Sequence, residues 1–424
     1  MDNVKNFKKE NMIQNHILSA NKNSIKLPKN IAKYLGIENN SAQLRFVMEG
    51  NKLEIYPNIH SLAKVYIEPT AKCNLHCKTC IRGTWKEKMG NMDLDVFDAL
   101  ITQLKDFKNI QSVMFGGFGE PTFHPDITHM VKQVKSLGIK AEIITNGTLL
   151  NEKILINLSK NKLDTLWISF DGASPECFED IRNGANFEFV LENMKHFKVI
   201  NERSSHKVKV GINFVIMKRN INELMKLKSL AQQIGAEEIS VSNVLPYNSE
   251  MLEQMLCNST LEDSPYGNGL SINLPFLDWG KINLKHLLTI LKNNDNIYIM
   301  NQKIDWKKNS CRFIKDRSTV IKWDGNVSPC MGLLHSYETF LAPNDIKREV
   351  KSYFLGNIKE KRLKEIWYSD EYHKFRERVN DFDFAPCFYC LSCYFALDNE
   401  QDCFDSIFPS CGGCLWAQGV IQCP

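Results

Sequence analysis

The sequence predicts an α/β protein whose core is a parallel sheet of six βα units, followed by a loop-rich segment organised by metal more than by apolar packing. Three observations carry this. Short apolar runs alternate with amphipathic stretches between residues 63 and 243, the chain of 424 residues holds 14 cysteines, and nine of these lie between Cys311 and Cys423. With 43% hydrophobic and 24% charged residues the chain is neither disordered nor collagen-like, and its length allows roughly two to four domains. No apolar run approaches the ~18 residues of a membrane-spanning helix. The Asn- and Lys-rich stretch 1–22 lacks the apolar centre of a signal peptide. A soluble, cytoplasmic protein with no membrane partner is therefore expected. Its cysteines are expected to ligate metal and not to form disulfides.

The elements follow in order. The first sixty residues hold nine Lys or Arg against five Asp or Glu, so the net charge of +4 sits entirely there. Ser24-Ile25-Lys26-Leu27-Pro28 reads as extended, because the residue before a proline is pushed out of the helical region. Asn30–Leu35 predicts a short helix stopped at Gly36. Leu44–Met48 and Lys52–Tyr56 predict a hairpin around Glu49-Gly50-Asn51. Residues 1–60 thus form a small module. In the core, 61–245, the expected strands are Lys64–Glu68, Ser112–Phe115, Ala141–Thr145, Thr165–Phe170, Val208–Met217 and Glu238–Ser242. Helices between them show 3.6-residue spacing, as in Phe97, Leu100, Ile101, Leu104 and Phe107 of Asp93–Phe107. Such an array gives a parallel sheet with right-handed crossovers, open or curled toward a barrel, with its chemistry at the C-terminal strand ends. Residues 246–310 read as a bridge of open structure. Residues 311–424 carry the nine cysteines and a helix over Leu363–Val379, where metal–thiolate bonds can replace a large apolar core.

The strongest local feature is Cys73-Asn74-Leu75-His76-Cys77-Lys78-Thr79-Cys80, directly after the first strand. Three thiolates in eight residues can wrap one metal centre. A structural zinc needs a fourth ligand nearby, and no further cysteine follows until Cys177; His76, between Leu75 and Cys77, has little freedom to turn inward. Three thiolates with one position open suit a 4Fe-4S cluster that leaves an iron for a ligand. Further along come Phe115-Gly116-Gly117-Phe118-Gly119-Glu120-Pro121, Thr145-Asn146-Gly147 and Ser169-Phe170-Asp171-Gly172, each closing a strand. Alone, the glycine loop is a tight strand–helix turn, and Asp171 an N-cap before Pro175.

As a set, these segments resemble the radical S-adenosylmethionine (radical SAM) superfamily over about residues 63–245. The resemblance implies a partial (β/α)6 TIM-type barrel and an enzyme that binds S-adenosyl-L-methionine at the open iron of a 4Fe-4S cluster on Cys73, Cys77 and Cys80. It further implies that Gly116, Gly117 and Gly119 let the backbone approach that ligand, that Glu120 accepts hydrogen bonds from its amino group, and that Asn146, Ser169 and Asp171 meet the ribose. Thr79 departs from the family, which usually has an apolar side chain there.

The C-terminal order is Cys311-x13-Gly325-x4-Cys330, then Cys387-x2-Cys390-x2-Cys393, Cys403, Cys411-x2-Cys414 and Cys423, with Trp323–Val327 as a hairpin turn that brings Cys311 and Cys330 together. This resembles the SPASM extension, which implies two auxiliary iron–sulfur clusters. The third gap is shorter than usual and the set is extended. Two closed clusters need eight thiolates and nine are present, so the partition stays open, as does zinc at Cys411/Cys414. Cys177 and Cys257 read as buried small apolar residues, and His124, His335 and His373 as isolated. The closing run Cys411–Pro424, Ile67-Glu68-Pro69-Thr70 and an AbrB-like Leu27–Ile37 look like the radical SAM maturases of tungsten-containing aldehyde oxidoreductases. Three functions are weighed: maturation of a tungsten-cofactor oxidoreductase, modification of a peptide or sulfatase, and a DNA-binding iron–sulfur sensor, the last with a weak basic footprint. The expected partners are a protein or peptide substrate, an electron donor such as ferredoxin or flavodoxin, and a second copy paired through the front module.

Overall fold

The structure, a computed structural model, describes residues 20–21, 24–25, 27, 31–32, 35, 44–49, 52–85, 87–256, 271–274, 296–299, 311–341, 346–385, 387 and 394–423. The chain forms two compact units, Met1–Ser61 and Leu62–Pro424. In the first, β1 (Ala20–Asn21) pairs antiparallel with β2 (Ser24–Ile25), and β3 (Arg45–Glu49) with β4 (Lys52–Tyr56) in the register Arg45↔Tyr56 to Glu49↔Lys52. The second pair is the expected hairpin, with its first strand one residue later. Ile31, Ala32 and Leu35 are helical, and Leu35 is buried. Lys26, Pro28 and Gly36 lie outside the described residues.

In the second unit six strands follow one another in space as in sequence, all parallel. They are β5 (Lys64–Ile67), β6 (Ser112–Phe115), β7 (Lys140–Thr145), β8 (Thr165–Ser169), β9 (Lys209–Ile216) and β10 (Glu238–Asn243). This is the expected α/β array. The region read as a bridge adds two more parallel strands beyond β10, β11 (Ser271–Leu274) and β12 (Asn296–Ile299). Four residues each, with Asn interrupting the apolar run, are too short to register as a strand period. At the other edge β13 (Ser318–Ile321) runs parallel to β5 with Ser318↔Lys64, then turns back as β14 (Val327–Ser328). Gly325, at φ +92°, makes that turn possible, as anticipated for Trp323–Val327. The composition changes at 245 and 310 therefore fall inside one compact unit. A hairpin of β15 (Tyr337–Leu341) and β16 (Ile346–Val350) follows.

The crossover helices bury the stripes their periodicity marks. Helix α1 (Leu94–Leu104) buries Val96, Phe97, Leu100, Ile101 and Leu104, and α2 (Ile127–Ser136) buries Ile127, Met130, Val131 and Val134. Helix α3 (Glu152–Lys160) and the long α5 (Phe187–Arg203) are capped by Asn151 and Asn186, which accept from Ile154 N and Phe189 N. Between them lies α4 (Pro175–Ile181), and after β9 come α6 (Leu224–Ile234) and α7 (Ser249–Gln254). The C-terminal part has α8 (Arg312–Lys315), α9 (Leu363–Trp367) and α10 (Asp370–Asp381). The single helix expected over Leu363–Val379 is thus two. Ser369 breaks it, because its hydroxyl accepts from Tyr372 N at 3.2 Å and caps a new start. Among the described residues no helix is long and apolar enough to cross a membrane.

Candidate functional site

The three-cysteine loop leaves β5 at its C-terminal end and is pinned along its length. Ala71 N donates to Gly90 O (3.0 Å), His76 N to Asn183 O (3.1 Å), Lys78 N to Ile181 O (2.9 Å), and Arg82 Nη2 to Leu75 O (2.7 Å). The Cys73 thiol accepts from Leu75 N (3.4 Å) and from Asn146 Nδ2 (3.6 Å). Burial raises the Cys73 thiol and pushes that of Cys77 up to about 11, while Arg182 pulls Cys77 back toward the thiolate. His76 is exposed.

The glycine loop seats this loop. A side chain at Gly119 would stand 2.0 Å from Thr70 O, and Glu120 N donates to Lys72 O at 2.9 Å. Gly117, at φ +132°, has the Glu68 side chain 2.8 Å from its missing Cβ, and at Gly116 the obstacle is Ile144. The glycines expected to admit a ligand are thus already demanded by the protein's own packing. Glu120 is buried: Oε1 accepts from Thr122 N (2.9 Å), Thr122 Oγ1 (2.5 Å) and Thr145 Oγ1 (2.7 Å), and Oε2 from Asn146 N (2.7 Å). Only Oε2 keeps capacity for another donor. Glu120 therefore holds Asn146, and Asn146 holds Cys73, so the motifs closing β6 and β7 converge on the cysteine loop.

The structure corrects Asp171. It neither faces open space nor caps α4, whose N-cap is Ser174. Its carboxylate is fully buried, pairs with Arg182 at 2.8 Å and accepts from Val215 N at 2.9 Å. Ser169 is buried at the end of β8, in register with Asn213, which in turn is in register with Ser240. Sequence reasoning missed Asn213 and Ser240. Asn213 Oδ1, Ser240 Oγ and Trp167 Nε1 are buried with no hydrogen-bond partner among the described residues. The available signal was an asparagine inside the apolar run Val210–Ile216. Arg182 was missed as well, and no local pattern announces it.

The C-terminal cysteines sort into groups. Cys311, Cys330, Cys411 and Cys414 line one apolar-walled cavity. Burial, and then the neighbouring Cys414, pushes Cys311 up to about 12; Cys330 and Cys411 are also raised, by burial and by the other thiols. Four thiols that oppose one another's ionisation in an apolar cavity are a donor set that a cation would complete. Cys387 has Cys403 among its charged neighbours, while Cys390 and Cys393 lie outside the described residues, as does Cys257. Burial raises the Cys423 thiol, while Arg312 and Lys64 pull it back. The closing segment is pinned on β10, where Gln422 N donates to Ser242 Oγ (3.0 Å) and Asn243 Nδ2 to Val420 O (3.1 Å). Cys177 is half-buried and its thiol donates to Asp171 O at 3.8 Å.

Another correction concerns His335, read as isolated. It is buried between two carboxylates, Nε2 3.0 Å from Glu68 Oε1 and Nδ1 2.8 Å from Glu87 Oε2, and it stacks on Trp85 with centroids 3.9 Å apart. Glu87 also meets Lys322 Nζ (2.9 Å) and Ser336 N (2.9 Å). The strand end under Gly117 is thereby tied to the segment after Cys330. Burial pulls His335 down, but its bonds to Glu68 and Glu87 outweigh this and raise it above 6.5; Glu87 is lowered from 4.5 to about 2. The raised histidine stabilises the fold fully below pH 6.5 and loses that contribution as pH climbs through its folded value. The lowered Glu87 contributes above pH 4.5 and is lost as pH falls toward 2. The stability gap between wild type and His335→Gln, followed by urea unfolding, is therefore largest between pH 4.5 and 6.5 and narrows on both sides. A flat gap across pH rejects the charged arrangement.

Comparison with known proteins fits this geometry. Residues 67–231 match the radical SAM superfamily and 311–394 the SPASM iron–sulfur cluster-binding domain. A tungsten-containing aldehyde ferredoxin oxidoreductase cofactor-modifying protein from Pyrococcus furiosus is 29% identical over 375 residues, 85% of this chain and 96% of that protein. An AdoMet-dependent heme synthase from Methanosarcina barkeri is 30% identical over 183 residues, 42% of this chain and half of that one. Among solved structures, Streptococcus suis SuiB bound to S-adenosylmethionine superposes with TM-score 0.54 at 20% identity, over 78% of this chain and 71% of that one. Native anSMEcpe with bound AdoMet does so with TM-score 0.52 at 19% identity, over 84% and 96%. The first domain implies a 4Fe-4S cluster with S-adenosylmethionine, and the second implies auxiliary iron–sulfur clusters. The chain is an enzyme that carries a radical SAM domain over residues 67–231 and a SPASM iron–sulfur cluster-binding domain over 311–394.

Proposed function

We propose that this enzyme reductively cleaves S-adenosylmethionine and acts in the maturation of a tungsten-cofactor oxidoreductase, by modifying the protein or its cofactor. The observation that carries the cleavage is the loop of Cys73, Cys77 and Cys80, seated on Gly119 and bonded through Asn146 to Glu120. Among the described residues no fourth thiol joins it: Cys177 has Glu223, Asp171 and Asp180 as its charged neighbours. Three thiolates fit a 4Fe-4S cluster with an open iron. When bound, the cluster supplies the electron that splits the sulfonium into methionine and a 5′-deoxyadenosyl radical, which abstracts hydrogen.

The chain's own residues bind and orient. Glu120 Oε2 has capacity left for an ammonium donor, and Asn213 Oδ1 with Ser240 Oγ offers unpaired buried polar atoms beside Ser169. Cys311, Cys330, Cys411 and Cys414 hold one auxiliary cluster in this reading, and Cys387 with Cys390, Cys393 and Cys403 the other, which leaves Cys423 outside both. The tungsten assignment rests on the Pyrococcus furiosus relative, whose match spans nearly its whole length. A reductant such as ferredoxin or flavodoxin, a cytoplasmic setting and pairing of the front module belong to the same reading.

The test is anaerobic reconstitution with iron and sulfide, then reduction with S-adenosylmethionine. About twelve irons per chain are expected, in three four-iron clusters, with release of 5′-deoxyadenosine. Co-expression with a tungsten aldehyde oxidoreductase is expected to raise the active fraction of that enzyme. Release of 5′-deoxyadenosine without any effect on the oxidoreductase would leave cleavage standing and reject the substrate.

A further inference from the structure

Arg348 of β16 is 2% exposed, an arginine sunk in the cysteine-rich part of the molecule. Its guanidinium donates to two backbone carbonyls, Ala396 O at 3.2 Å and Ser410 O at 3.4 Å. Among the described residues no carboxylate stands within ion-pair distance of it. A buried cation with only neutral acceptors is costly, and native proteins pair such charges. Thiols take the place a carboxylate would have: Arg348 lines the cavity of Cys311, Cys330, Cys411 and Cys414.

The two glycines of Cys411-Gly412-Gly413-Cys414 share this cause. A side chain at Gly413 would stand 2.3 Å from Arg348 Nη1, and one at Gly412 would stand 1.7 Å from Ala385 O and 3.4 Å from Cys387 N. The loop is stripped of side chains so that it can lie on the guanidinium and on the strand of chain leading to Cys387 at once. The position supplies one fixed positive charge at the cavity of four thiols.

We propose that Arg348 is the counter-cation of the auxiliary iron–sulfur centre on Cys311, Cys330, Cys411 and Cys414, and that its charge holds the reduction potential of that centre up. The inference rests on the reading that these four thiolates carry a cluster. A cluster held by four thiolates is anionic when oxidised and gains one more negative charge on reduction. A fixed cation therefore stabilises the reduced state more, and eases the uptake of an electron from a substrate radical. Arg348 is in this sense a positioning residue for charge and touches no substrate.

The test is a redox titration of the anaerobically reconstituted full-length enzyme, followed by electron paramagnetic resonance, with Arg348→Met and Arg348→Lys beside wild type. Arg348→Met is expected to shift the auxiliary centre on Cys311, Cys330, Cys411 and Cys414 to lower potential. The expected size is about a ten-fold change in its oxidised-to-reduced ratio at fixed poise, roughly 59 mV for one electron. Arg348→Lys keeps the charge and is expected to stay near wild type, and the spectral change that S-adenosylmethionine causes at the Cys73/Cys77/Cys80 centre is expected in all three. Loss of auxiliary iron in Arg348→Met but not in Arg348→Lys would support the proposal at the stage of assembly. Unchanged potentials with full iron would overturn it, as would equal shifts, or equal loss of iron, in both variants. A wild-type protein that binds only the four irons of the first centre would instead overturn the reading of the auxiliary sites.

Discussion

Cys77→Ala, reconstituted anaerobically, releases 5′-deoxyadenosine only at the background of the assay and keeps about eight of roughly twelve irons. The loss is that large because the other two thiols of the loop cannot close a centre that already lacks a fourth ligand. Folding is not the cause. Cys77 is half-buried, and its loop keeps the bonds of His76 N to Asn183 O, Lys78 N to Ile181 O and Arg82 to Leu75 O, none of which uses the thiol. Truncating a partly buried thiol costs on the order of 1 kcal/mol, too little to unfold the unit. The contrasting variant is Cys414→Ala. It removes one wall of the four-thiol cavity while leaving the first loop intact, so 5′-deoxyadenosine release in the absence of substrate persists and iron falls by about four per chain. Iron analysis and chromatography of the nucleoside check both. Release that survives Cys77→Ala would reject the cleavage site, and release lost equally in both variants would reject the separation of centres.

The parts of this site that were legible in the sequence are those with local causes. Three cysteines in eight residues act through their own spacing, and the strand-closing segments Phe115–Pro121 and Thr145–Gly147 follow directly from the order of the βα units. The six central strands announce themselves because a parallel strand covered on both faces is a continuous apolar run. What stayed hidden depends on pairing across long separations. His335 looks isolated along the chain, yet Glu68 is 267 residues and Glu87 is 248 residues away. The closing segment before Cys423 is held by hydrogen bonds to β10 some 180 residues earlier, a placement that counting cysteines does not reveal. The glycines show a different limit. Their presence was read as room for a ligand, whereas Gly119 and Gly117 answer to Thr70 O and Glu68, contacts that only the folded sheet creates. Helix boundaries behaved as their caps dictate: periodicity runs through Ser369, but its hydroxyl does not.

Asp171→Ala is expected to be the most destabilising single change in the core. Asp171 and Arg182 are both buried, at 2.8 Å, and Arg182 faces Cys77 and Cys73. Removing the carboxylate strands a guanidinium without its counter-charge, which costs roughly 3–5 kcal/mol. It also leaves Val215 N, which donates to Asp171 Oδ1 at 2.9 Å, without an acceptor, for about 1–3 kcal/mol more. Asp171→Asn restores that acceptor but not the charge, so it falls between the two. The informative variant is the pair Asp171→Ala with Arg182→Met. Replacing a buried ion pair by apolar groups is often close to neutral, so most of the lost stability returns in urea unfolding. Were Asp171 a ribose ligand, this refolded pair would still bind S-adenosylmethionine poorly. A carboxylate with no exposed surface, ion-paired through Oδ2 with Arg182 and accepting from Val215 N at Oδ1, predicts instead that binding, measured by the spectral shift of the reconstituted first centre, recovers with the fold.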